Sequence, residues 1–179
     1  AENAYYQQYA DKYQDLTKTL TDEIIGRVKQ DDSSVPAKKG DYSFYSRFET
    51  GQQYPIYLRK VLKTGEEQVL LDVNKMAAGK DFYQIGNYAV SPDQKLLAYA
   101  EDTNGRRQYT VRVRDLTTGK DLPDSISGVE ASLAWSSDSK HLFYIEKDKQ
   151  TLLGNKIRRH QLGDAVAKDV LMYEEKDNS

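Results

Sequence analysis

The 179-residue sequence contains no cysteine, only four prolines and a single tryptophan. The lack of cysteine excludes disulfide bonds, thiolate metal sites and a cysteine nucleophile, although it suits a reducing compartment as well as an oxidising one. No apolar run approaches the roughly 18 residues of a membrane span, and no signal peptide opens the chain. The first residue is Ala rather than Met, which indicates a mature or excised form.

A charge bias is also missing. The 26 Lys and Arg residues nearly balance the 28 Asp and Glu residues, and the net charge is −2. A nucleic-acid-binding domain usually carries a clear basic excess. Lys and Arg are scattered along the chain, so there is no polybasic patch for a membrane surface. We therefore expect neither nucleic acid nor a membrane as a partner.

The first thirty residues show the pattern of an amphipathic helix. Their apolar side chains recur at steps of three and four residues. Thr21 precedes two acidic residues and fits an N-cap, so we expect two helices that meet near residue 20. Asp, Ser and Pro in residues 30–36 favour a turn that closes the segment. The apolar stripe consists of Tyr6, Tyr9, Tyr13, Leu16, Leu20, Ile24 and Val28.

From residue 40 onward the period changes to two. Short alternating segments are separated by turn clusters rich in Gly, Asp, Ser and Thr. This series, with little helix, predicts an antiparallel all-β architecture. The ten predicted strands cover residues 42–48, 54–62, 68–73, 88–91, 95–101, 108–116, 133–136, 141–147, 155–162 and 169–175.

The β region repeats itself. Residues 89–99 (AVSPDQKLLAY) and 134–144 (AWSSDSKHLFY) are identical at six of eleven positions, all of them alternate residues. The Ser-Pro-Asp start suits a type I turn, because Pro at the second position has its φ already set. The alternate identities that follow predict a strand whose one face has the same side chains in both copies of the repeat.

A second segment recurs at matching distances, as YPIYLR (54–59), YTVRVR (109–114) and, more weakly, NKIRRH (155–160). A repeat of about 40–50 residues that carries four strands is typical of a β-propeller blade. The fold class predicted is therefore mainly β, a partial propeller of four-stranded antiparallel blades after a helical segment. The predicted organisation is a helical extension over 1–32 and an incomplete propeller domain over 33–179, with blades at about 35–86, 87–128 and 129–176.

Three blades are too few for closure, because propellers close with about four to eight. An open stack leaves an apolar blade face exposed at its end. Two interpretations follow. The chain is a fragment of a longer propeller, which we favour, or it is a stand-alone binding module that closes by self-association through the open end.

Motifs for catalysis are absent. A serine hydrolase commonly places its nucleophile in Gly-x-Ser-x-Gly and needs a histidine base, and no such pentapeptide occurs. In the repeat, His141 takes the place of Leu96 and His160 that of Arg114, so we favour a structural or surface role for both. No histidine pair, carboxylate-rich loop or glycine-rich phosphate loop is present. We predict no catalytic, cofactor-binding or metal-binding residues and no cofactor.

A few other residues stand out, and for each the structural interpretation is favoured over the functional one. Two acidic pairs fall in predicted loops or strand ends, where solvated charge is more common than a substrate subsite. Two arginines after a turn glycine fit a polar hairpin tip better than a partner contact. The tryptophan replaces Val90 of the preceding repeat and fits inter-blade core better than a ligand platform. These residues are Asp31, Asp32, Glu174, Glu175, Arg106, Arg107 and Trp135.

Several segments go beyond a generic propeller. They are AENAY (1–5), SVPAKKGDYSFYSR (34–47), GQQYPIYLRK (51–60), AVSPDQKLLAY (89–99), YTVRVRDLTTG (109–119) and YEEKD (173–177). In this order they resemble the N-terminal region of the oligopeptidase B (protease II) group, within the prolyl oligopeptidase family of serine peptidases. The resemblance covers essentially the whole chain.

The resemblance implies a two-domain serine peptidase, in which a seven-bladed propeller caps an α/β-hydrolase domain and a helical extension packs along that domain. It implies a parent that hydrolyses short peptides after Arg or Lys, with the propeller gating access. The triad, oxyanion hole and selectivity residues of that family belong to its C-terminal domain, so none is carried onto this chain. The implied partners are the hydrolase domain and short basic peptides. The implied location is the cytoplasm, with the periplasm as the alternative.

Overall fold

The computed structural model describes residues 2–177. The chain begins with two helices in tandem, α1 (Glu2–Ala10) and α2 (Gln14–Arg27), joined by a 3₁₀ turn at Asp11–Tyr13. No residue of α1 or α2 is buried. The predicted helical extension is therefore present, and its apolar stripe faces solvent in this chain.

The predicted junction of the two helices near residue 20 is wrong. Thr21 lies inside α2, where the three- and four-residue apolar spacing continues without interruption. The break occurs instead at Asp11, whose Oδ1 accepts hydrogen bonds from the side-chain amides of Gln7 (3.3 Å) and Gln14 (2.7 Å). These side-chain bonds accompany the tighter turn between the helices. Asp and Thr both favour helix ends, so the sequence pattern alone does not show which of Asp11 and Thr21 marks the break.

A first antiparallel sheet follows the helices and forms blade 1. Its four strands lie in sequence order, and a short helix, α3 (Val73–Ala77), leaves its last strand. The side chain of Asp72 accepts a hydrogen bond from the amide of Lys75 and so caps this helix. The strands are β1 (Ala37–Lys39), β2 (Tyr42–Arg47), β3 (Ile56–Val61) and β4 (Glu67–Asp72).

A second sheet has seven antiparallel strands, again in sequence order. Its fourth strand, β8, belongs to two blades, since residues 121–129 pair with β7 and residues 129–135 pair with β9. Blade 2 is β5 to β7 with the first part of β8, and blade 3 is the rest of β8 with β9 to β11. The strands are β5 (Gln84–Val90), β6 (Leu96–Asp102), β7 (Tyr109–Asp115), β8 (Asp121–Trp135), β9 (His141–Lys147), β10 (Gly154–Gln161) and β11 (Val170–Glu174).

The protein is therefore a partial propeller of three four-stranded antiparallel blades, as predicted, and it is not closed. All ten predicted strands overlap observed ones. The short strand β1 and the first part of β8 were missed. Residues 121–129 contain Pro123, Ser125 and Gly128, which favour turns. An outer strand tolerates them because its free edge needs no ladder hydrogen bonds.

The Ser-Pro-Asp repeat forms the turn between the first two strands of a blade. The amide of Gln94 donates to the carbonyl of Ser91 (2.9 Å), and the amide of Lys95 donates to the carboxylate of Asp93 (3.1 Å). The same bonds recur in residues 136–141 of blade 3. The alternate identities thus preserve the turn as well as the strand face.

The core lies between neighbouring blades. Alternation on β6 sends Leu97 and Tyr99 toward blade 1, and Ala98 and Ala100 toward blade 3. Each fully buried Leu contributes about 1.5–3 kcal/mol relative to an exposed one. The cluster between blades 1 and 2 contains Leu70, Leu71, Val90, Leu97 and Tyr99. The cluster between blades 2 and 3 contains Ala98, Ala100, Tyr109, Val111, Val113, Ile126, Val129, Leu142 and Tyr144.

The inner strands of blades 2 and 3 approach closely at Gly86. A Cβ at this position would lie 2.4 Å from the ring of Tyr109 and 2.8 Å from the Cβ of Ala131. Glycine is required here for the close approach of β5 and β8, although nothing in its sequence context indicates so.

Candidate functional site

The two histidines occupy different environments. His141 is partly exposed at the start of β9, and its Nδ1 lies 3.5 Å from a carboxylate oxygen of Asp138. His160, on β10, is completely buried. The structure does not bring the two histidines into one site. Only His160 belongs to a buried polar cluster.

That cluster places the His160 ring between two carboxylates. Its Nδ1 lies 2.7 Å from Oδ1 of Asp169, and its Nε2 lies 2.9 Å from Oδ1 of Asp124. The two aspartate side chains are only 1% and 3% exposed. The hydroxyl of Tyr144 donates to Oδ2 of Asp169 (2.8 Å), and the amide of Gly163 donates to Asp124 (2.6 Å). We call these residues the blade-3 cluster.

Electrostatics in the blade-3 cluster favour a charged imidazole. Burial by itself lowers the pKa of His160, but the hydrogen bonds and charges of Asp124 and Asp169 outweigh it, and the net pKa is raised. Burial, assisted by the hydrogen bond to Asp169, raises the pKa of Tyr144. Tyr144 therefore remains a neutral donor.

Blade 2 carries an equivalent arrangement, which we call the blade-2 cluster. Arg114 occupies the repeat position of His160, and its Nε donates to Asp121 (2.7 Å). The hydroxyl of Tyr99, the counterpart of Tyr144, donates to the same carboxylate (2.9 Å). Arg114 also reaches back to the carbonyl of Leu70 in blade 1 (3.3 Å). A cation on the third strand thus contacts its own blade and the preceding one in both repeats.

Blade 3 exposes an apolar face. Phe143, Ile145 and Ile157 occupy the repeat positions of Ala98, Ala100 and Val111, which are fully buried in blade 2. In blade 3 the same positions line a shallow apolar depression of about 230 Å³. This face matches the open end that a three-bladed stack must have.

A larger groove, of about 520 Å³, lies between blades 2 and 3. Its lining includes Val129 from β8, Tyr144 and Glu146 from β9 and Arg158 from β10. Glu146 and Arg158 form an ion pair within it. Because Glu146 and Arg158 satisfy each other, neither of these two charges is free to select a ligand.

The remaining residues singled out from the sequence lie where the structural interpretation puts them. The indole of Trp135 is half-buried and donates to the carbonyl of Ala89 in blade 2 (2.9 Å). The arginines lie exposed on the β6–β7 hairpin, where the amide of Arg107 is held by the carboxylate of Asp102. Both acidic pairs are exposed. These residues do not converge: Asp31, Asp32, Arg106, Arg107, Trp135, Glu174 and Glu175.

Within residues 2–177, no group of three or more His, Cys, Asp or Glu side chains has the geometry to hold a metal ion. In the blade-3 cluster the two carboxylates stand at different nitrogens of one ring and share no point of convergence. Over the same residues, no helix is long and apolar enough to cross a membrane.

Known proteins resemble the chain over its whole length. Residues 1–179 match the model of the prolyl oligopeptidase N-terminal β-propeller domain. The chain belongs to this family of serine peptidases. It is 45% identical, over its full length, to dipeptidyl aminopeptidase BI of Pseudoxanthomonas mexicana, and 32% identical, over 99% of its length, to protease 2 of Moraxella lacunata.

Solved structures agree with this assignment. The fold matches oligopeptidase B from Leishmania major with a TM-score of 0.92 and 31% identity over 97% of the chain. It matches oligopeptidase B from Trypanosoma brucei, in a closed form with covalently bound antipain, with a TM-score of 0.89. The chain spans 27% of the two sequence relatives and 25% of each of these structures. It is an N-terminal region of such proteins.

Sequence reasoning missed the blade-3 cluster. The alignment of His160 with Arg114 was the available signal, because it places an ionisable ring where a repeat uses a buried cation. Asp124 lies between the predicted strands 108–116 and 133–136, where no strand was assigned, so its approach to His160 was not predicted.

Proposed function

We propose that this chain is the non-catalytic N-terminal propeller portion of an oligopeptidase B-like serine endopeptidase. The parent protein hydrolyses short peptides after Arg or Lys with a C-terminal α/β-hydrolase domain. The propeller gates the entry of substrate by covering that domain, so folded proteins are excluded. We place the helical extension at residues 1–32, the propeller at 33–179 and the protein in the cytoplasm.

The observation that carries this proposal is the uncovered apolar face of blade 3. Ile157 is 38% exposed, whereas its counterpart Val111 is 1% exposed under the next blade. Further blades of the parent would bury this face as blade 3 buries that of blade 2. The quarter-length match to oligopeptidase B supports the same conclusion.

The unburied helices support a second contact. The stripe from Tyr6 to Val28 contains seven apolar side chains that are all at least 46% exposed. A stripe of this width normally packs against another part of the protein. In the proposed parent, the hydrolase domain is that part.

The preference for Arg or Lys is the finer part of the proposal. The family resemblance implies it, whereas the name of the 45% identical relative describes removal of dipeptides from an N-terminus. The two activities differ in whether the substrate needs a free amino group, so they are separable by assay.

The test compares the full-length gene product with this chain on two chromogenic substrates. One is an N-blocked peptide ending in arginine p-nitroanilide, and the other is an unblocked dipeptide p-nitroanilide. We expect the full-length protein to cleave the blocked substrate and this chain to cleave neither. If the full-length protein cleaves only the unblocked substrate, the proposed activity changes from endopeptidase to aminopeptidase. A reading frame without a downstream Gly-x-Ser-x-Gly would overturn the peptidase proposal.

A stand-alone binding module is the second candidate function. The same apolar face favours it, because several copies would close a ring by covering one another. Sedimentation of the purified chain at micromolar concentration separates the two cases. A monomer contradicts the binding module, and a stable closed oligomer supports it.

A further inference from the structure

The blade-3 cluster crosses the boundary between two blades. Asp124 lies in the part of β8 that pairs with β7, so it belongs to blade 2, whereas His160 and Asp169 belong to blade 3. Oδ1 of Asp124 accepts from the Gly163 amide and lies 2.9 Å from the His160 ring, so blade 3 contacts it twice. The His160 ring therefore links Asp124 of blade 2 to Asp169 of blade 3.

With both aspartates ionised, hydrogen-bond geometry favours the doubly protonated form of that ring. A carboxylate accepts but does not donate, so each ring nitrogen must carry a proton to bond its aspartate. A neutral imidazole has one N–H and would set a lone pair against a carboxylate oxygen at hydrogen-bond distance. All three side chains are at least 97% buried, so water cannot substitute for the missing donor.

We propose that His160 is a protonation-dependent clamp between blades 2 and 3. As an imidazolium it joins Asp124 to Asp169, and its deprotonation releases one of the two carboxylates. The clamp therefore weakens as the solution becomes alkaline. It acts on the contact between two blades and is independent of the peptidase function proposed above.

The neighbouring groups leave this titration to the histidine. On β9, Tyr144 donates its hydroxyl to Asp169 and stays protonated, because burial raises its pKa. On β10, Arg158 donates to the backbone carbonyl of Asp169 (3.3 Å) and is paired with Glu146. The two carboxylates facing the ring, from β8 and from the segment before β11, raise the pKa of His160 despite its burial.

The sign of the pH dependence follows from that shift. A raised pKa in the folded state means that folding favours the protonated form. The stabilisation is complete below about pH 6.5, the ordinary value for histidine, and is lost as the pH rises through the higher folded value.

The direct test is the ¹⁵N shift of the His160 ring nitrogens in the intact chain. We expect both nitrogens to be protonated at about pH 7, with one losing its proton at higher pH. His141 is the other histidine of the chain, so His141→Gln identifies the signals and serves as the matched control. A single protonated nitrogen on His160 at about pH 6.5 would overturn the proposal.

The second measurement is the thermal midpoint of the wild type and His160→Arg from about pH 6 to about pH 9. Arginine is the residue at this position in blades 1 and 2, as Arg59 and Arg114. We expect the wild type to lose about 2–4 °C more than the variant over this range. Equal slopes would contradict the clamp, and if His160→Arg does not fold, the ¹⁵N titration of the wild type decides alone.

Discussion

Blades 2 and 3 are built from the same repeat but differ in two respects. Blade 2 is covered on both faces, and its third strand uses Arg114 to bond Asp121 and a neutral carbonyl of blade 1. Blade 3 is covered on one face, and its third strand uses His160 to bond two carboxylates. The long Arg114 side chain, which is always charged, reaches past its own blade and can use a neutral carbonyl as its second acceptor. A short ring held between two anions must be charged itself.

The difference in burial has the larger energetic consequence. Asp121 is 36% exposed, so water screens it when its partner is lost. Asp124 and Asp169 have almost no contact with water. The cation at the same repeat position thus forms a partly solvent-exposed ion pair in blade 2 and belongs to a buried charge network in blade 3.

The largest expected effect is that of removing the cation from the blade-3 cluster. His160→Leu leaves two buried carboxylates without a compensating cation, and we expect a loss of about 3–5 kcal/mol in the free energy of unfolding. The matched variant Arg114→Leu should lose about 1–2 kcal/mol, because Asp121 regains water. Urea unfolding at mildly acid pH measures both. Equal losses would show that the two clusters are equally desolvated.

An intermediate effect concerns the two outer faces. Val111→Ala removes two buried carbons and leaves a cavity between blades 2 and 3, so we expect a loss of about 2 kcal/mol. The matched variant Ile157→Ala removes more atoms from an open face, and we expect a loss of less than about 0.5 kcal/mol. Urea unfolding of this chain tests the pair. A large loss for Ile157→Ala would mean that the blade-3 face is covered in solution, as self-association predicts.

The smallest expected effect is that of the tyrosine hydroxyls. Tyr99→Phe and Tyr144→Phe each remove one hydrogen bond to a carboxylate while the ring stays packed, and each should cost about 1–1.5 kcal/mol. Tyr144→Phe should have the greater cost, because Asp169 is more buried than Asp121. Thermal unfolding of the two variants measures the difference. The reverse order would contradict the assignment of the blade-3 cluster as the drier one.

Much of the fold was predictable because short-range sequence patterns indicate the strands of a propeller. The period of two, the Ser-Pro-Asp turn and the spaced Tyr and Arg residues are all short-range features. These local features did not predict a strand where the residues are required for contacts between blades. The first part of β8 has the composition of a turn, yet its Asp124 is required at the blade boundary.

The site was less predictable than the fold. His160 lies 36 residues from Asp124 and nine from Asp169 along the chain. No spacing rule connects them, because the connection passes through sheet packing and not through one strand or helix. The prediction that His160 has a structural role did not anticipate its complete burial between two charges.

The sequence by itself determined the repeat, the alternation that builds each blade and the number of blades, since each of these depends on residues close together in the chain. The tertiary structure alone decided which equivalent positions differ. Val111 is buried and Ile157 is open because one blade has a successor in this chain and the other does not. His160 is a buried charge because two distant carboxylates meet its ring where water is excluded.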